Sequence, residues 1–202
     1  MLKIYHAPTT RGMRVIWLCE ELSIPYEVQR IDFSAAYRAT PEWRALNPVG
    51  KVPVLQDGDL TMFESGAMVE YVLARYGAGR LHPPTDSPDY ALCLQWMWYG
   101  EATLSRPLGE IVNHGREFPG EQRIDAVVAE MTQRGVDCAA AVGAAVGPEG
   151  YLLGADFSAA DIMVGYGIFL VDMLIPEQMP DNVKPYWERL KGRPGFEVAR
   201  SA

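Results

Sequence analysis

The sequence predicts an α/β domain with the order β-α-β-α-β-β-α, followed by an all-helical domain. Strand and helix signals alternate over the first eighty residues, and after them only helical apolar periodicity remains. Between the two patterns, residues 77–89 contain two glycines and three prolines, a composition typical of a linker. We therefore expect a first domain at 1–79, a linker at 80–89 and a helical domain at 90–202.

The first three elements form a strand–helix–strand unit. Apolar and polar residues alternate at 2–6, which indicates a strand, and 14–22 carries apolar residues at helical spacing. Pro25 ends that helix because proline disfavours helical geometry in the residue before it. A second strand is expected at 26–31. A crossover of this kind is right-handed and joins parallel strands.

A short helix, a hairpin and a further helix complete the first domain. The short helix is expected at 41–46, and the last helix begins at Ser65. Between them, strands at 52–56 and 60–63 flank the tight-turn dipeptide Asp57-Gly58. This hairpin adds an antiparallel edge to the sheet.

The second domain shows only helical signals. Helices are expected at 89–100, 121–146, 158–174 and 183–190, the last of them ending near 193–195. The helix at 158–174 is apolar nearly all round, which predicts that it is the buried central helix of this domain.

Charge and composition exclude several function classes. The net charge of −8 disfavours nucleic acid, because phosphate binding needs a basic face. The three cysteines and three histidines are scattered, so we expect no metal and a reducing compartment. The longest apolar run, 162–171, is shorter than the roughly 20 residues that span a bilayer, and no signal peptide is visible. We expect a soluble, cytoplasmic protein with no membrane partner.

The loop after the first strand places two hydroxyls, Thr9 and Thr10, at the start of a helix. Free N–H groups and the positive end of the dipole favour an anion there. An ordinary helix cap is the alternative interpretation.

The segment Val52-Pro53 puts a proline inside a strand signal, where it cannot donate to the ladder. A cis Val52-Pro53 bond would resolve this conflict by turning the chain before the strand begins. The backbone groups of Val52 would then be available to a peptide-like ligand.

The pair Glu64-Ser65 stands at a strand-to-helix junction. Ser65 is a good helix N-cap, and a bound carboxylate could share that helix terminus. Glu64 could hold an ammonium group, so the two residues together suit the charges of an amino-acid backbone. Capping by Ser65 beside a solvated glutamate is the alternative.

Together these features resemble the cytosolic glutathione transferase superfamily over nearly the whole chain. The segments that carry the resemblance are 17–27, 47–55, Glu64-Ser65 and 157–162. The last of them is similar to the family's S/T-x-x-D capping box, which gives Ser158 and Asp161 a structural role. The resemblance implies a thioredoxin-like first domain and an all-helical second domain.

The resemblance also implies a catalytic hydroxyl at Thr9, six residues before Val15. Many relatives have serine, tyrosine or cysteine there, whereas bacterial members of the Nu type use threonine in an A-P-T-x-N context. Arg11 stands where that context has asparagine, and Thr10 is the rival of Thr9. A hydrogen bond from Thr9, the helix dipole and the charge on Arg11 would each favour a bound thiolate.

For glutathione, the resemblance implies that the backbone of Val52, held before Pro53, pairs with the cysteinyl amide. Glu64 and Ser65 would hold the γ-glutamyl end, and Lys51 would reach a glutathione carboxylate. A small hydrophobic electrophile would bind against the helical domain, with adaptable apolar walls. The candidates for that pocket are Trp96, Met97, Tyr99 and Arg106.

The resulting interpretation is a glutathione transferase, homodimeric as the family usually is, with glutathione as co-substrate and no metal. Two alternatives remain. One is a glutathione-dependent disulfide reductase or peroxidase on the same fold. The other is a non-catalytic binding protein, which would hold glutathione without deprotonating its thiol.

Overall fold

A computed structural model describes residues 1–118, 120–146 and 150–202. Their contacts divide them into two compact units, Met1–Leu81 with Lys191–Ala202, and His82–Leu190. The last segment of the chain thus packs with the first unit. The domain boundaries predicted from the sequence, with 90–202 as the helical domain, differ from these units at the end of the chain.

The first unit contains a four-stranded sheet with the order β2-β1-β3-β4. Its strands are β1 Leu2–His6, β2 Tyr26–Arg30, β3 Val54–Asp57 and β4 Leu60–Met62. β1 and β2 are parallel, whereas β3 is antiparallel to both β1 and β4. The predicted crossover and hairpin are confirmed, but β3 begins after the predicted position because proline cannot enter the ladder.

Five helices accompany this sheet. They are α1 Gly12–Leu22, α2 Ala35–Arg38, α3 Pro41–Leu46, α4 Ser65–Tyr76 and α10 Pro194–Ser201. The predicted order is confirmed, with α2 as a short addition before α3. α2 has only four residues, too few to show an apolar period.

The helix α10 was missed because Pro194 and Gly195 resemble a stop signal. Proline is nevertheless well tolerated in the first turn of a helix, where its missing N–H costs nothing. α10 packs on α1 through Phe196, whose ring meets Trp17 edge-on with centroids 5.1 Å apart. Arg193 adds a bidentate ion pair to Glu21, with N···O distances of 2.8 and 2.7 Å.

The second unit is helical. Its helices are α5 Pro88–Trp98, α6 Ser105–Arg116, α7 Asp125–Val146, α8 Ala159–Leu174 and α9 Lys184–Lys191, with a π-helix at Tyr99–Leu104 between α5 and α6. The sequence analysis missed α6, where Pro107 and Gly109 are breaker signals. α8 is buried without interruption over its first thirteen residues, so the predicted central helix is confirmed. Within the described ranges, no helix is both long and apolar enough to cross a membrane.

The predicted capping box is present at the start of α8. The Asp161 carboxylate accepts hydrogen bonds from the backbone N–H of Ser158 at 2.8 Å and of Leu152 at 2.9 Å. The buried Tyr186 hydroxyl donates to it at 2.9 Å. Burial raises the pKa of Asp161, while these hydrogen bonds oppose that shift by stabilising the ionised form. Asp161 therefore ties α8 to the preceding loop and to α9.

The last residue of β1 is a buried histidine, His6. Leu2, Ile4 and His6 alternate inward along the strand, and His6 is fully buried. The chain leaves β1 tightly around its ring, because a Cβ at Gly12 would lie 2.3 Å from His6 Nδ1. Burial, and then the charge of Arg30, lower the pKa of His6 to about 4. His6 is therefore neutral at pH 7.

The first prediction concerns Asp161. Asp161→Ala leaves four buried donors without their acceptor, the Ser158 hydroxyl among them, each costing about 1–3 kcal/mol. We expect the free energy of unfolding to fall by about 3 kcal/mol or more, against about 1 kcal/mol for the Ser158→Ala variant. Urea unfolding of both variants measures the difference. Equal losses would contradict the central role of the Asp161 carboxylate.

The second prediction concerns pH. The pKa of His6 is about 4 in the folded chain and 6.5 as an ordinary value. The unfolded chain therefore binds the extra proton first, and stability present above pH 6.5 is lost as the pH falls towards 4. We expect a loss of about 3 kcal/mol over this window. In calorimetry, the free energy of unfolding of the His6→Asn variant should depend less on pH in this window than that of the unchanged protein. An equal slope would refute the lowered pKa of His6.

Candidate active site

Three segments meet at one end of the sheet in the first unit. Tyr5 pairs with Val54, which sets the end of β1 beside the start of β3. Arg14, in the first turn of α1, donates from Nη1 to Ser65 Oγ at 3.1 Å and so joins the start of α1 to the start of α4. The structure thus brings together the sequence-predicted residues of the loop after β1, the segment before β3 and the start of α4.

The two threonines of the first loop have different environments. Thr10 Oγ1 donates to the Ala7 carbonyl at 2.6 Å and closes the turn that leads into α1. Thr9 is exposed and has φ 63°, in the left-handed region that a β-branched residue rarely adopts. Arg11, at the N-cap of α1, makes no side-chain capping hydrogen bond within the described chain. The proton of Thr10 is committed to the turn, whereas Thr9 is exposed.

The Val52-Pro53 bond is cis, as the sequence analysis predicted. Within the described residues, neither the N–H nor the C=O of Val52 has a hydrogen-bond partner. Val52 is half-buried and Lys51 is exposed. The backbone of Val52 is therefore open to a strand-like ligand, beside an exposed ammonium group.

Asn47 organises the loop before this bond, a role that the sequence analysis missed. Its Nδ2 donates to the Lys51 carbonyl at 3.0 Å, and its Oδ1 accepts from the Val49 N–H at 3.0 Å. Asn47 is 2% exposed, and Gly50 N–H donates to its carbonyl at 2.8 Å. In a trans peptide the C=O and the next N–H point in opposite directions. Asn47 therefore turns the Val52 N–H outward by holding the Lys51 carbonyl.

The start of α4 differs from the expectation for Ser65. The N-cap is Glu64, with φ 74°, and Ser65 is the first helical residue. The expected capping by Ser65 is thus wrong, because its oxygen accepts from Arg14 instead. The described chain supplies no side-chain cap for the first N–H groups of α4, and Glu64 is exposed. This terminus can accept an anion beside a free carboxylate.

The residues predicted for the electrophile lie in the second unit, on α5, the π-helix and α6. Met97 is buried, with its sulfur 4.0 Å from Cys93 Sγ. Trp96 and Tyr99 are half-buried, and their rings meet edge-on with centroids 5.0 Å apart. The Tyr99 hydroxyl donates to the Cys138 carbonyl at 3.0 Å, and Arg106 is exposed. Met97 therefore belongs to the interior of this unit, while the others reach its surface.

Comparisons with known proteins place the chain among glutathione S-transferases. The family model for the glutathione S-transferase N-terminal domain matches residues 1–74. Glutathione S-transferase 3 of Schizosaccharomyces pombe is 33% identical over 104 residues, which are 52% of this chain and 43% of that protein. Glutathione S-transferase 4 of Zea mays is 30% identical over 191 residues, which are 90% of this chain and 83% of that protein.

A solved structure shows the same fold over the whole chain. The crystal structure of a glutathione transferase homologue from Sulfitobacter, with bound glutathione, has a TM-score of 0.84 and 27% identity. It covers 100% of this chain and 97% of the other. The alignment with the Schizosaccharomyces pombe relative covers less than half of that protein, but the maize alignment is nearly full-length. The chain belongs to the glutathione S-transferase family.

Proposed function

We propose that the protein is a glutathione transferase that binds glutathione as a thiolate and conjugates it to a hydrophobic electrophile. The observation that carries this proposal is the open backbone of Val52 next to the uncapped start of α4. Together they offer an extended backbone partner, an anion site and a carboxylate. A short peptide with both an ammonium and a carboxylate at one end has complementary groups.

Glutathione would lie along Val52, with its cysteinyl amide pairing to the Val52 N–H and C=O in the manner of an added strand. Pro53 keeps this segment out of the ladder and free for the ligand. At the γ-glutamyl end, Glu64 would hold the ammonium group, and Ser65 with the α4 terminus would hold the carboxylate. Lys51 would meet the glycyl carboxylate at the other end.

The sulfur would then lie near the loop after β1, where Thr9 is our candidate donor. Its exposed position supports this choice, because the Thr10 proton already goes to Ala7. A free thiol has a pKa near 8.5, so little of it is ionised at pH 7. A hydrogen bond from Thr9, the α1 dipole and the charge of Arg11 would each lower that pKa. The thiol proton leaves to solvent.

The thiolate would attack the electrophilic carbon, forming a carbon–sulfur bond while the leaving group departs with its electron pair. Trp96, Tyr99 and Arg106 remain our candidates for contacts with the electrophile, whereas Met97 is buried within the second unit. Loss of a halide from a chlorodinitrobenzene-type electrophile measures conjugation. Reduction of hydroxyethyl disulfide instead, without conjugation, would favour the glutathione-dependent reductase.

We also propose a homodimer with a cytoplasmic location. The first unit exposes the apolar side chains of Val49, Leu60 and Phe63, to 56%, 41% and 37% respectively. Exposed apolar side chains of this size support burial against a second copy. Light scattering at micromolar concentration measures the oligomeric state. A monomer would refute the proposed homodimer and would leave the proposed catalytic function unaffected.

The third prediction concerns Thr9. Thr9→Ala should raise the pKa of bound glutathione by about one to two units, which corresponds to about 1.4–2.7 kcal/mol. Affinity should change little, because the rest of the tripeptide is held elsewhere. Thr9→Ser should retain the donor and most of the activity. Ultraviolet absorbance of the bound thiolate against pH measures the shift.

Two controls decide between Thr9 and its neighbours. Thr10→Ala should leave the titration in place, since that hydroxyl donates to Ala7. If Thr10→Ala shifts the curve and Thr9→Ala does not, Thr9 is the wrong hydroxyl. An equally large shift in Arg11→Ala would show that charge stabilises the sulfur. If none of the three variants shifts it, the non-catalytic binding protein gains support.

The fourth prediction concerns the γ-glutamyl end. Glu64→Gln and Ser65→Ala should each weaken glutathione binding by one to two decades, since a charge-assisted contact is worth roughly 1.5–3 kcal/mol. The pKa of the bound thiol should stay nearly constant, because these residues are remote from the sulfur. Calorimetry measures the affinity. Unchanged affinity in both variants would remove this assignment.

A further inference from the structure

We propose that Arg14 is a positioning residue for glutathione, which fixes the Ser65 hydroxyl as a donor to the γ-glutamyl carboxylate and places a buried positive charge behind it. This inference rests on the proposed function and deepens it. Arg14 would not touch the ligand. It would act through Ser65, and it would make the affinity depend on the negative charge at that end of the tripeptide.

The contact between Arg14 and Ser65 is buried. Arg14 is 0% exposed and Ser65 is 3% exposed, so their contact is shielded from water. Burying a charge is expensive, and apolar side chains of similar size often replace buried charges without loss of stability. Stability alone therefore gives weak reason for a guanidinium in the first turn of α1. Its contact with a residue of the candidate site gives a better one.

The hydrogen bond between Arg14 and Ser65 can run in only one direction. Arginine can only donate, so the 3.1 Å contact makes Ser65 Oγ the acceptor. The hydroxyl proton of Ser65 must then point elsewhere, and no group in the described ranges accepts it. Because Ser65 opens α4, that proton is available at the same helix end as the uncapped N–H groups. Arg14 thus converts Ser65 into a donor at an anion site.

The charge of Arg14 would also act on the ligand electrostatically. A carboxylate on the Ser65 hydroxyl would lie one residue away from the guanidinium, with low-dielectric protein rather than water behind it. Electrostatic attraction is much stronger in such surroundings than in bulk water. The charge also polarises the Ser65 O–H bond and strengthens its donation. Arg14 should therefore increase the affinity for a ligand that has the γ-glutamyl carboxylate, and it should leave the affinity for a ligand without that carboxylate nearly unchanged.

The test compares glutathione with γ-aminobutyryl-cysteinylglycine, which lacks only the γ-glutamyl carboxylate. Arg14→Met should weaken glutathione binding about tenfold to a hundredfold, while affinity for the analogue should change less than about twofold. The KM for glutathione should rise in parallel, with kcat at saturation retained. Arg14→Lys, which keeps the charge, should recover part of the affinity. Arg75→Met, in the last turn of α4, is the control for removing one charge.

Equal losses for both ligands would overturn the inference, since a structural defect does not distinguish them. Unchanged glutathione affinity in Arg14→Met would overturn it as well. If Arg14→Met does not fold, a double-mutant cycle of Arg14→Lys with Ser65→Ala provides the test. The double variant must then lose less glutathione affinity than the sum of the losses in the two single variants. Additive losses there would refute action through Ser65. Failure of the wild-type protein to bind glutathione at all would instead refute the proposed function.

Discussion

The antiparallel pairing of β1 with β3 is the constraint on which the candidate site depends. The parallel pair of β1 with β2 sends the chain through α1 and leaves the loop after β1 at one end of the sheet. Because β3 runs the other way, its start lies at that same end. The cis bond at Val52-Pro53 and the threonine loop become neighbours through this topology, although more than forty residues separate them in the sequence.

Two polar side chains, the buried Asn47 and the half-buried Thr10, hold these loops in shape. Asn47 takes over the backbone hydrogen bonds that the segment before β3 cannot obtain from the sheet. Thr10 satisfies the Ala7 carbonyl in the turn into α1, next to the neutral ring of His6. Each of them satisfies a local backbone group, so that the groups facing outward remain available. The loops are therefore shaped before any ligand arrives, which lowers the entropic cost of binding.

Local signals in the sequence were sufficient for much of the fold and part of the site. The strands, the hairpin, the capping box at Ser158 and Asp161 and the cis bond each depend on neighbouring residues. What was missed depends on distant ones. α10 is stabilised by Phe196 and Arg193 against α1, far back in the chain, and its own start resembles a stop. The bond from Arg14 to Ser65 joins residues fifty-one positions apart, with no local pattern to indicate it.

The two units differ in how completely the protein itself satisfies their polar groups. Asp161 is surrounded by donors, so its buried carboxylate is satisfied by groups of the second unit itself. At the candidate site, Val52 keeps both backbone groups open and Ser65 keeps its proton, despite strong burial of the serine. An open polar group costs free energy in the folded protein unless a ligand satisfies it. These groups therefore make the free energy of the site depend on a bound ligand, and the tripeptide that we propose as the ligand would satisfy them together.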